Sequence, residues 1–199
     1  INYGTGAFFL YHAGTEKPVF LPGMLTSLGV SGADGKCAFL LEGPVNAAGS
    51  AVEWLRAQGI PFDPAETDEL CRQASQPVWF LPALGGLGAP YWDFSFSPVA
   101  AGLSPRTRRP DWVAGVLRGV AFLLADIAVY LQTNGFALSA PVQVAGGLSR
   151  SAWLVQTQSD YLQMPLHLLH EVQSTVLGAA QMAAGRAGAQ WPGPQAEVF

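Results

Sequence analysis

Two short glycine-containing strings in this chain of 199 residues have the composition of sites that bind an anion or a nucleotide. In the first, Gly4-Thr5-Gly6, a glycine on either side of Thr5 allows a tight backbone turn that presents amide donors, and the Thr5 hydroxyl adds a side-chain donor. The string therefore predicts a cradle for a phosphate group. An ordinary hairpin turn uses the same residues, so the string alone leaves both interpretations open.

The second string, Gly146-Gly147, follows an apolar run and precedes a segment with helical spacing. Because these positions carry no side chains, a ligand can lie against the backbone there. The N-terminus of the following helix would offer unpaired N–H groups and a partial positive charge. A phosphate group or the edge of a nucleotide base would suit such a site. A strand-to-helix turn capped by Ser149 is the alternative.

A third glycine, Gly49, lies inside a stretch with helical periodicity, residues 45–58. A glycine in the middle of a helix costs about 1 kcal/mol relative to alanine. Something should compensate for this cost, and both close packing against another element and the close approach of a ligand would do so.

The string from Gly86 to Asp93 combines glycine, proline, aromatic and acidic residues in one loop. Such a loop can line a polar substrate pocket or seal a domain by packing. Asp93 has the side-chain type of a general base, but an aspartate after two aromatic residues is also common as a turn cap. Three histidines share no spacing typical of a metal site or of a nucleophile's base, and we expect them to be structural: His12, His167 and His170.

The elements that must position these residues change in type along the chain. Turn residues bound apolar runs that predict strands at 7–12, 24–30, 37–42, 78–81, 142–145 and 166–169. Helical spacing predicts helices at 45–58, 67–74, 110–132, 151–162 and 174–187. The first strands follow one another as hairpins, and the last third alternates strand and helix, which implies crossover connections and a parallel portion of the sheet.

The composition limits the class of protein. Half of the residues are hydrophobic and 12% are charged, which predicts one folded domain with a substantial core. The net charge is -4 without a basic face, so nucleic acid is not an expected partner. Cys37 and Cys71 form no disulfide framework or metal-ligand pattern. The longest apolar run, 116–131, is interrupted by Arg118 and Asp126, so we expect a packed helix and no membrane span. Two reduced thiols are typical of a cytoplasmic protein, and we expect that location here.

Taken together and in this order, the strings resemble the C-terminal domain of the FGGY carbohydrate kinases, most closely the glycerol kinases. Five strings carry the resemblance over nearly the whole chain: Tyr3 to Gly6, Leu41 to Gly43 with the following Ala48 to Arg56, Gly86 to Asp93, Val144 to Ser151, and Leu177 to Ala180. In this family the first string looks like the hairpin that meets the nucleotide phosphates, and the fourth looks like the adenosine motif.

The resemblance implies an α/β, ribonuclease-H-like lobe of the kind found in actin, hexokinase and the Hsp70 ATPase. Its mixed sheet would place antiparallel hairpin strands before strand-helix alternation. Residues 1–188 would form the nucleotide-side domain, lacking its first strand or strands, and residues 189–199 a loose tail. ATP or ADP with Mg2+ would lie between this lobe and a second one, and closure of the two lobes would exclude water.

Carried over by position, the resemblance implies that Thr5 donates to the phosphates and that Phe8 packs against the polyol substrate. The cofactor-binding residues it implies are Thr5, Gly6, Gly49, Glu53, Gly146, Gly147 and Ser151. Three positions depart from the family: Glu53 replaces a usual glutamine, Ser151 replaces asparagine, and Arg118 replaces an acidic residue. A carboxylate at position 53 cannot donate a hydrogen bond and would repel phosphate.

The resemblance therefore implies part of a kinase that transfers the γ-phosphoryl group of ATP to a primary hydroxyl of glycerol or a related sugar. In this family the general base is an aspartate in a Gly-Asp-Gln string upstream of the hairpin. The 199 residues contain neither that string nor the N-terminal lobe, so we expect no catalytic residue or metal ligand here and no turnover by this chain alone.

The partners implied are a polyol or sugar and the missing N-terminal lobe, with homo-oligomer formation left open. A degenerate, non-catalytic nucleotide-binding or interaction module is the alternative, and the three departures from the family would be its signature.

Overall fold

The computed structural model describes residues 1–31, 36–169, 174–186 and 196–198. Within these residues the strands are β1 Asn2–Tyr3, β2 Ala7–His12, β3 Leu25–Ser31, β4 Cys37–Val45, β5 Trp79–Leu81, β6 Val99–Ala101, β7 Val142–Gly146, β8 Leu166–Leu169 and β9 Ala196–Val198. The α-helices are α1 Gly49–Ala57, α2 Thr67–Arg72, α3 Arg109–Thr133, α4 Ala152–Leu162 and α5 Ser174–Arg186. Two short 3-10 turns, Pro64–Glu66 and Gly147–Arg150, precede α2 and α4.

The main sheet has the strand order β3-β4-β2-β1-β7-β8-β9. On one side, β3, β4, β2 and β1 form an antiparallel series. On the other side, β1 pairs parallel with β7, β7 pairs parallel with β8, and β9 closes the series antiparallel to β8. The predicted α/β fold is confirmed, because its mixed sheet contains antiparallel hairpin strands first and strand-helix alternation afterwards.

Helix α3 is the centre of the core. Its 25 residues carry apolar side chains on nearly every face, and most of them are buried against β5, α2 and α4. By length and composition α3 could cross a membrane, but 67% of its most apolar stretch is buried inside the domain. The apolar residues of α3 therefore serve packing between the sheet and the other helices.

The predicted boundary between the third strand and the first helix is wrong. The sequence predicts a helix from residue 45, but Val45 pairs with Ala7 in the sheet, and β4 therefore continues to this residue. The helix begins only at Gly49. Gly49 thus occupies the first turn of α1, where the cost of a mid-helix glycine does not arise.

Two further differences concern short elements. Strand β6 was not predicted, because Val99–Ala101 has only three residues and gains its conformation by pairing with β5. Residues Ala196–Val198 of the expected loose tail pair with β8, so the tail is held to the sheet at this point. The rest of the tail and His170 lie outside the described residues.

The carboxylate of Asp111 ties the start of α3 to the segment that leads into β5. Asp111 is fully buried and accepts hydrogen bonds from the backbone N–H groups of Ser75 (2.6 Å), Gln76 (2.8 Å) and Arg108 (2.7 Å). Burial alone would raise the pKa of this carboxyl, but the three N–H donors outweigh it and hold the pKa below its ordinary value.

We expect Asp111→Asn to lower the free energy of unfolding by about 2 kcal/mol at neutral pH, because at least one partly buried N–H group loses its acceptor. The pKa of Asp111 is depressed in the folded state. Its stabilising contribution is therefore complete above the unfolded value of about 3.9 and is lost as the pH falls through the folded pKa. Urea unfolding from neutral pH down to about pH 2 measures both effects.

The matched control for this prediction is Asp126→Asn, which removes an exposed carboxylate from the same helix. The Asp126 carboxylate accepts a hydrogen bond only from the Tyr91 hydroxyl among the bonds resolved for it (2.9 Å). We expect this control to stay within about 0.5 kcal/mol of the wild type. Equal stability curves for Asp111→Asn and the wild type would contradict the proposed role of Asp111.

Candidate nucleotide site

The two glycine strings that the sequence singles out lie side by side. Strands β1 and β7 are parallel neighbours, and Tyr3 is opposite Gly146 in their register. The hairpin Gly4–Gly6 and the bend Gly146-Gly147 therefore leave the sheet at the same edge. At Gly146 the backbone has φ +103°, and a Cβ there would lie 2.1 Å from the carbonyl oxygen of Tyr3. Only glycine allows the two strands to approach this closely.

The N-terminus of α1 holds the hairpin through backbone hydrogen bonds. The N–H of Gly49 donates to the carbonyl of Gly4 (3.0 Å), and the N–H groups of Ala48 and Ser50 donate to the carbonyl of Thr5 (2.9 Å each). A Cβ at Gly49 would lie 2.7 Å from the carbonyl oxygen of Gly4. Close packing thus accounts for Gly49. The first N–H groups of α1 are used to fix the hairpin, and the Thr5 side is left exposed to solvent.

A cavity of about 590 Å³ opens beside these elements. Its walls come from α1, α3, the segment from Phe62 to Asp68 and the bend before α4. Four of the seven predicted cofactor-binding residues line it: Gly49, Glu53, Gly147 and Ser151. Thr5, Gly6 and Gly146 do not line the cavity, but they lie next to it through the contacts of the hairpin with Gly49 and of β1 with β7. The volume is within the usual range for small-molecule sites.

The N-terminus of α4 differs from the prediction. The bend at Gly147 passes first into a 3-10 turn, and α4 begins at Ala152 with Ser151 as its N-cap. The N–H groups of Ala152 (3.1 Å) and Trp153 (3.4 Å) donate to the carboxylate of Asp68. The N–H groups expected to be unpaired thus already hold an anion from α2. This contact could not be predicted, because Asp68 and the helix are more than 80 residues apart in the sequence.

The Ser151 hydroxyl both donates and accepts a hydrogen bond within the protein. The hydroxyl donates to Asp68 Oδ1 (2.5 Å) and accepts from the N–H of Leu154 (3.1 Å). Ser149, the predicted alternative cap, instead donates from its hydroxyl to the carbonyl of Gly146 (2.7 Å) and is buried. Ser149 therefore stabilises the bend itself, while Ser151 and Asp68 stabilise the start of α4.

Glu53 projects from α1 at the edge of the cavity and forms an ion pair one turn along the helix. The Nη1 atom of Arg56 donates to Glu53 Oε1 (2.7 Å). The Glu53 side chain is 70% exposed, and that of Arg56 is 23% exposed. The guanidinium of Arg56 also lies over the ring of Phe62, 4.8 Å from its centroid. Sequence reasoning identified Glu53 but not its partner.

Tyr3 anchors the hairpin to the helices, a role that no local sequence pattern indicates. Its hydroxyl donates to Gln158 Oε1 on α4 (2.8 Å), and Gln158 Nε2 donates to the carbonyl of Ala121 on α3 (3.3 Å). Tyr3 and Gln158 are fully buried, and burial raises the pKa of Tyr3 above its ordinary value. The residue directly before the hairpin is thus bonded to the helix that follows the Gly146-Gly147 bend.

The loop from Gly86 to Asp93 packs against β4 and does not line the cavity. The N–H of Ala89 donates to the carbonyl of Pro44 (2.9 Å), and the indole N–H of Trp92 donates to the carbonyl of Gly23 (2.8 Å). Asp93 accepts from the hydroxyl (2.6 Å) and the N–H (2.9 Å) of Ser95, and these bonds lower the pKa of Asp93. This is the geometry of a turn cap, the alternative to a general base.

Phe8, the residue expected to contact a polyol, lies on β2 opposite Asn2 and Pro44 in the register. Its side chain is 40% exposed and does not line the cavity beside Gly49. A separate space of about 620 Å³ is lined by residues of β1, β2, β7 and α5. Among the described residues, no group of three or more His, Cys, Asp or Glu side chains is placed to hold a metal ion.

Residues 1–187 match the C-terminal domain of the FGGY family of carbohydrate kinases. The chain is 36% identical over 201 residues to a glycerol kinase of Allorhizobium ampelinum, with 98% of this chain and 40% of the relative covered. It is 37% identical over 191 residues to a glycerol kinase of Thermus brockianus, with 94% of this chain and 38% of the relative covered.

Solved structures give the same result. A Plasmodium falciparum glycerol kinase with ADP superposes with a TM-score of 0.83 at 28% identity, over 96% of this chain and 38% of the other. A ligand-bound xylulose kinase from Lactobacillus acidophilus superposes with a TM-score of 0.78 at 27% identity, over all of this chain and 41% of the other. The chain spans about two fifths of the length of these relatives. It belongs to the FGGY family of carbohydrate kinases and corresponds to their C-terminal domain.

Proposed function

We propose that this domain binds the nucleotide of an ATP-dependent polyol or sugar kinase. The observation that carries the proposal is the position of Gly146 beside Tyr3, which brings the Gly4–Gly6 hairpin and the Gly146-Gly147 bend to one edge of the sheet. Gly49 and Gly147 then line a single cavity next to that edge. In this proposal the hairpin, with Thr5 and Gly6, meets the phosphates, and the cavity takes the nucleoside.

We propose further that the whole protein transfers the γ-phosphoryl group of ATP to a primary hydroxyl of glycerol or a related sugar. The names of the relatives, glycerol and xylulose kinases, support this reaction class. Phosphoryl transfer depends on positioning and on charge stabilisation in a closed cleft. Because no residue of this chain is proposed as the general base, the domain alone should not turn over substrate. In this proposal Phe8 contacts the polyol only when the two lobes form the closed cleft.

Mg2+ would enter with the nucleotide in this proposal. This ion usually keeps several waters and binds through substrate phosphates and one or two carboxylates, so it needs no dedicated protein cage. Thr5 and the backbone of the hairpin would orient the phosphates that carry the ion.

One observation favours a second candidate function. The carboxylate of Asp68 occupies the N-terminus of α4, and Ser151 is bonded to it, so neither group is free for a ligand. A module that has lost nucleotide binding and kept only an interaction role would tolerate this arrangement. Nucleotide binding by the domain therefore distinguishes the two candidates.

The binding proposal is tested by titrating ADP, with and without Mg2+, into the wild type and into Gly147→Val by calorimetry. A Cβ at Gly147 has no neighbour within 4 Å, so valine should be accommodated by the fold while it fills the cavity beside it. We expect at least about a tenfold loss of ADP affinity, roughly 1.4 kcal/mol. Gly185→Val on α5 is the matched control, since Gly185 also has open space but lies outside the cavity. Equal ADP affinity in all three proteins would contradict the assignment.

The reaction is tested on the protein extended to the length of its relatives. We expect ATP-dependent phosphorylation of at least one of glycerol, xylulose, ribulose and gluconate by the extended protein, and none by the domain of 199 residues. Turnover is measured by coupling ADP release to an optical assay. The absence of both ADP binding and phosphorylation of any polyol would favour the non-catalytic module, and turnover by the domain alone would contradict the proposal that residues outside these 199 supply the general base.

Glu53 gives a separate prediction. If its carboxylate faces the nucleotide, Glu53→Gln should tighten ADP binding by about three- to fivefold, because an amide can donate a hydrogen bond and carries no negative charge. Glu69→Gln is the matched control: Glu69 forms the same type of ion pair, with Arg72 at 3.1 Å, but on α2 and outside the cavity. An unchanged ADP affinity in Glu53→Gln would mean that the carboxylate points away from the bound nucleotide.

A further inference from the structure

The guanidinium of Arg56 is incompletely satisfied. Its Nη1 atom pairs with Glu53, but Nε and Nη2 are buried and have no hydrogen-bond partner. The contact of the guanidinium with the ring of Phe62 compensates only in part, through cation–π attraction. A buried charged group with unmet donors destabilises a fold unless it serves another purpose. Arg56 is therefore a candidate for a role in the site.

The charges around the cavity indicate what that role is. Three carboxylates line it, those of Glu53, Asp63 and Asp68, against two guanidinium groups, those of Arg56 and Arg150. The carboxylate of Asp68 is bonded to the start of α4, and that of Asp63 accepts from the N–H of Ala65 (2.8 Å). Glu53 is the carboxylate that extends from α1, the helix whose N-terminus supports the phosphate hairpin. A nucleotide phosphate would be repelled by this lining if Arg56 were absent.

We propose that Arg56 is the counter-charge that makes a carboxylate at position 53 compatible with an anionic ligand. The inference rests on the proposed nucleotide site and deepens it, because it names the residue that sets the preference of the site for charged over uncharged ligands. Arg56 acts through Glu53 and is a positioning residue. It holds the Glu53 carboxylate along α1 and offsets part of its negative charge.

The geometry makes this role specific to Arg56. The guanidinium of Arg56 lies over the ring of Phe62, and both residues line the cavity. The positive charge is therefore held close to the site, although the Glu53 side chain is largely exposed. The equivalent pair on α2, Glu69 and Arg72, has both side chains mostly exposed and does not line the cavity. Arg72→Gln is thus a control with the same chemistry and spacing.

The test compares ADP with adenosine, which lacks the phosphates, by calorimetry on the chain of 199 residues. We expect Arg56→Gln to weaken ADP binding by about three- to fivefold and to leave adenosine binding within about twofold. The difference should shrink as ionic strength rises, since the partly exposed charges are screened. Arg56→Lys keeps the charge and should keep the ratio of ADP to adenosine affinity. The double variant Glu53→Gln with Arg56→Gln keeps the net charge and should bind ADP like the wild type.

The outcomes distinguish failure of the proposed nucleotide site from failure of the counter-charge role of Arg56. A wild-type chain that binds neither ADP nor adenosine would overturn the proposed function and this inference with it. Wild-type binding with equal losses of ADP and adenosine affinity in Arg56→Gln would overturn only the inference and would assign Arg56 a packing role on Phe62. Should Arg56→Gln fail to fold, Arg56→Lys decides: a fall in its ratio of ADP to adenosine affinity counts against the counter-charge, and a retained ratio supports it.

Discussion

The arrangement of the site depends on the parallel pairing of β1 with β7. This pairing places Tyr3 opposite Gly146 and brings two backbone bends, distant in sequence, to the same edge of one sheet. The strands approach so closely that a side chain at Gly146 would collide with the carbonyl of Tyr3. Carboxyl ends of parallel strands are a general location for ligand sites, because the turns that follow them expose backbone donors. The order of the strands thus determines where the candidate site lies, and individual side chains only add to it.

Buried hydrogen bonds keep that edge in place. The bond from Tyr3 to Gln158, continued to the carbonyl of Ala121, connects the hairpin to α4 and α3 through groups that water does not reach. Asp68, which is partly exposed, also connects α2 to the start of α4. Fully satisfied polar networks of this kind specify one arrangement of the elements, since any shift leaves a buried donor or acceptor unpaired. The apolar helix α3 supplies most of the burial, and the polar contacts determine how the elements are oriented on it.

Much of the fold could be predicted from the sequence, because strand patterns, helical spacing and glycine turns are local. The ribonuclease-H-like order of hairpins followed by strand-helix alternation is of this kind. The start of α1 could not be predicted, since Val45 has helical spacing but is held in the sheet by Ala7. Strand β6 is too short to have a pattern of its own.

The same distinction applies to the site. Gly49, Glu53, Gly147 and Ser151 were predicted from strings that resemble a known family, and they do line one cavity. Their roles toward a ligand remain predictions. The contacts of Asp68 with α4 and of Tyr3 with Gln158 join residues separated by 84 and 155 positions, so no local pattern could indicate them. The sequence therefore predicts which residues line the cavity, and the structure identifies the long-range contacts that hold these residues in position.

The two residues of β1 have a mechanical consequence for the domain. In the part of the sheet that the structure describes, β1 is the strand between the two halves, because it pairs antiparallel with β2 on one side and parallel with β7 on the other. The two halves of the sheet are joined by the pairing of Asn2 with Ala145 and of Tyr3 with Gly146. A one-residue change of this register would move the hairpin relative to the glycine bend, so a shift at β1 would alter the candidate site without any change in its side chains.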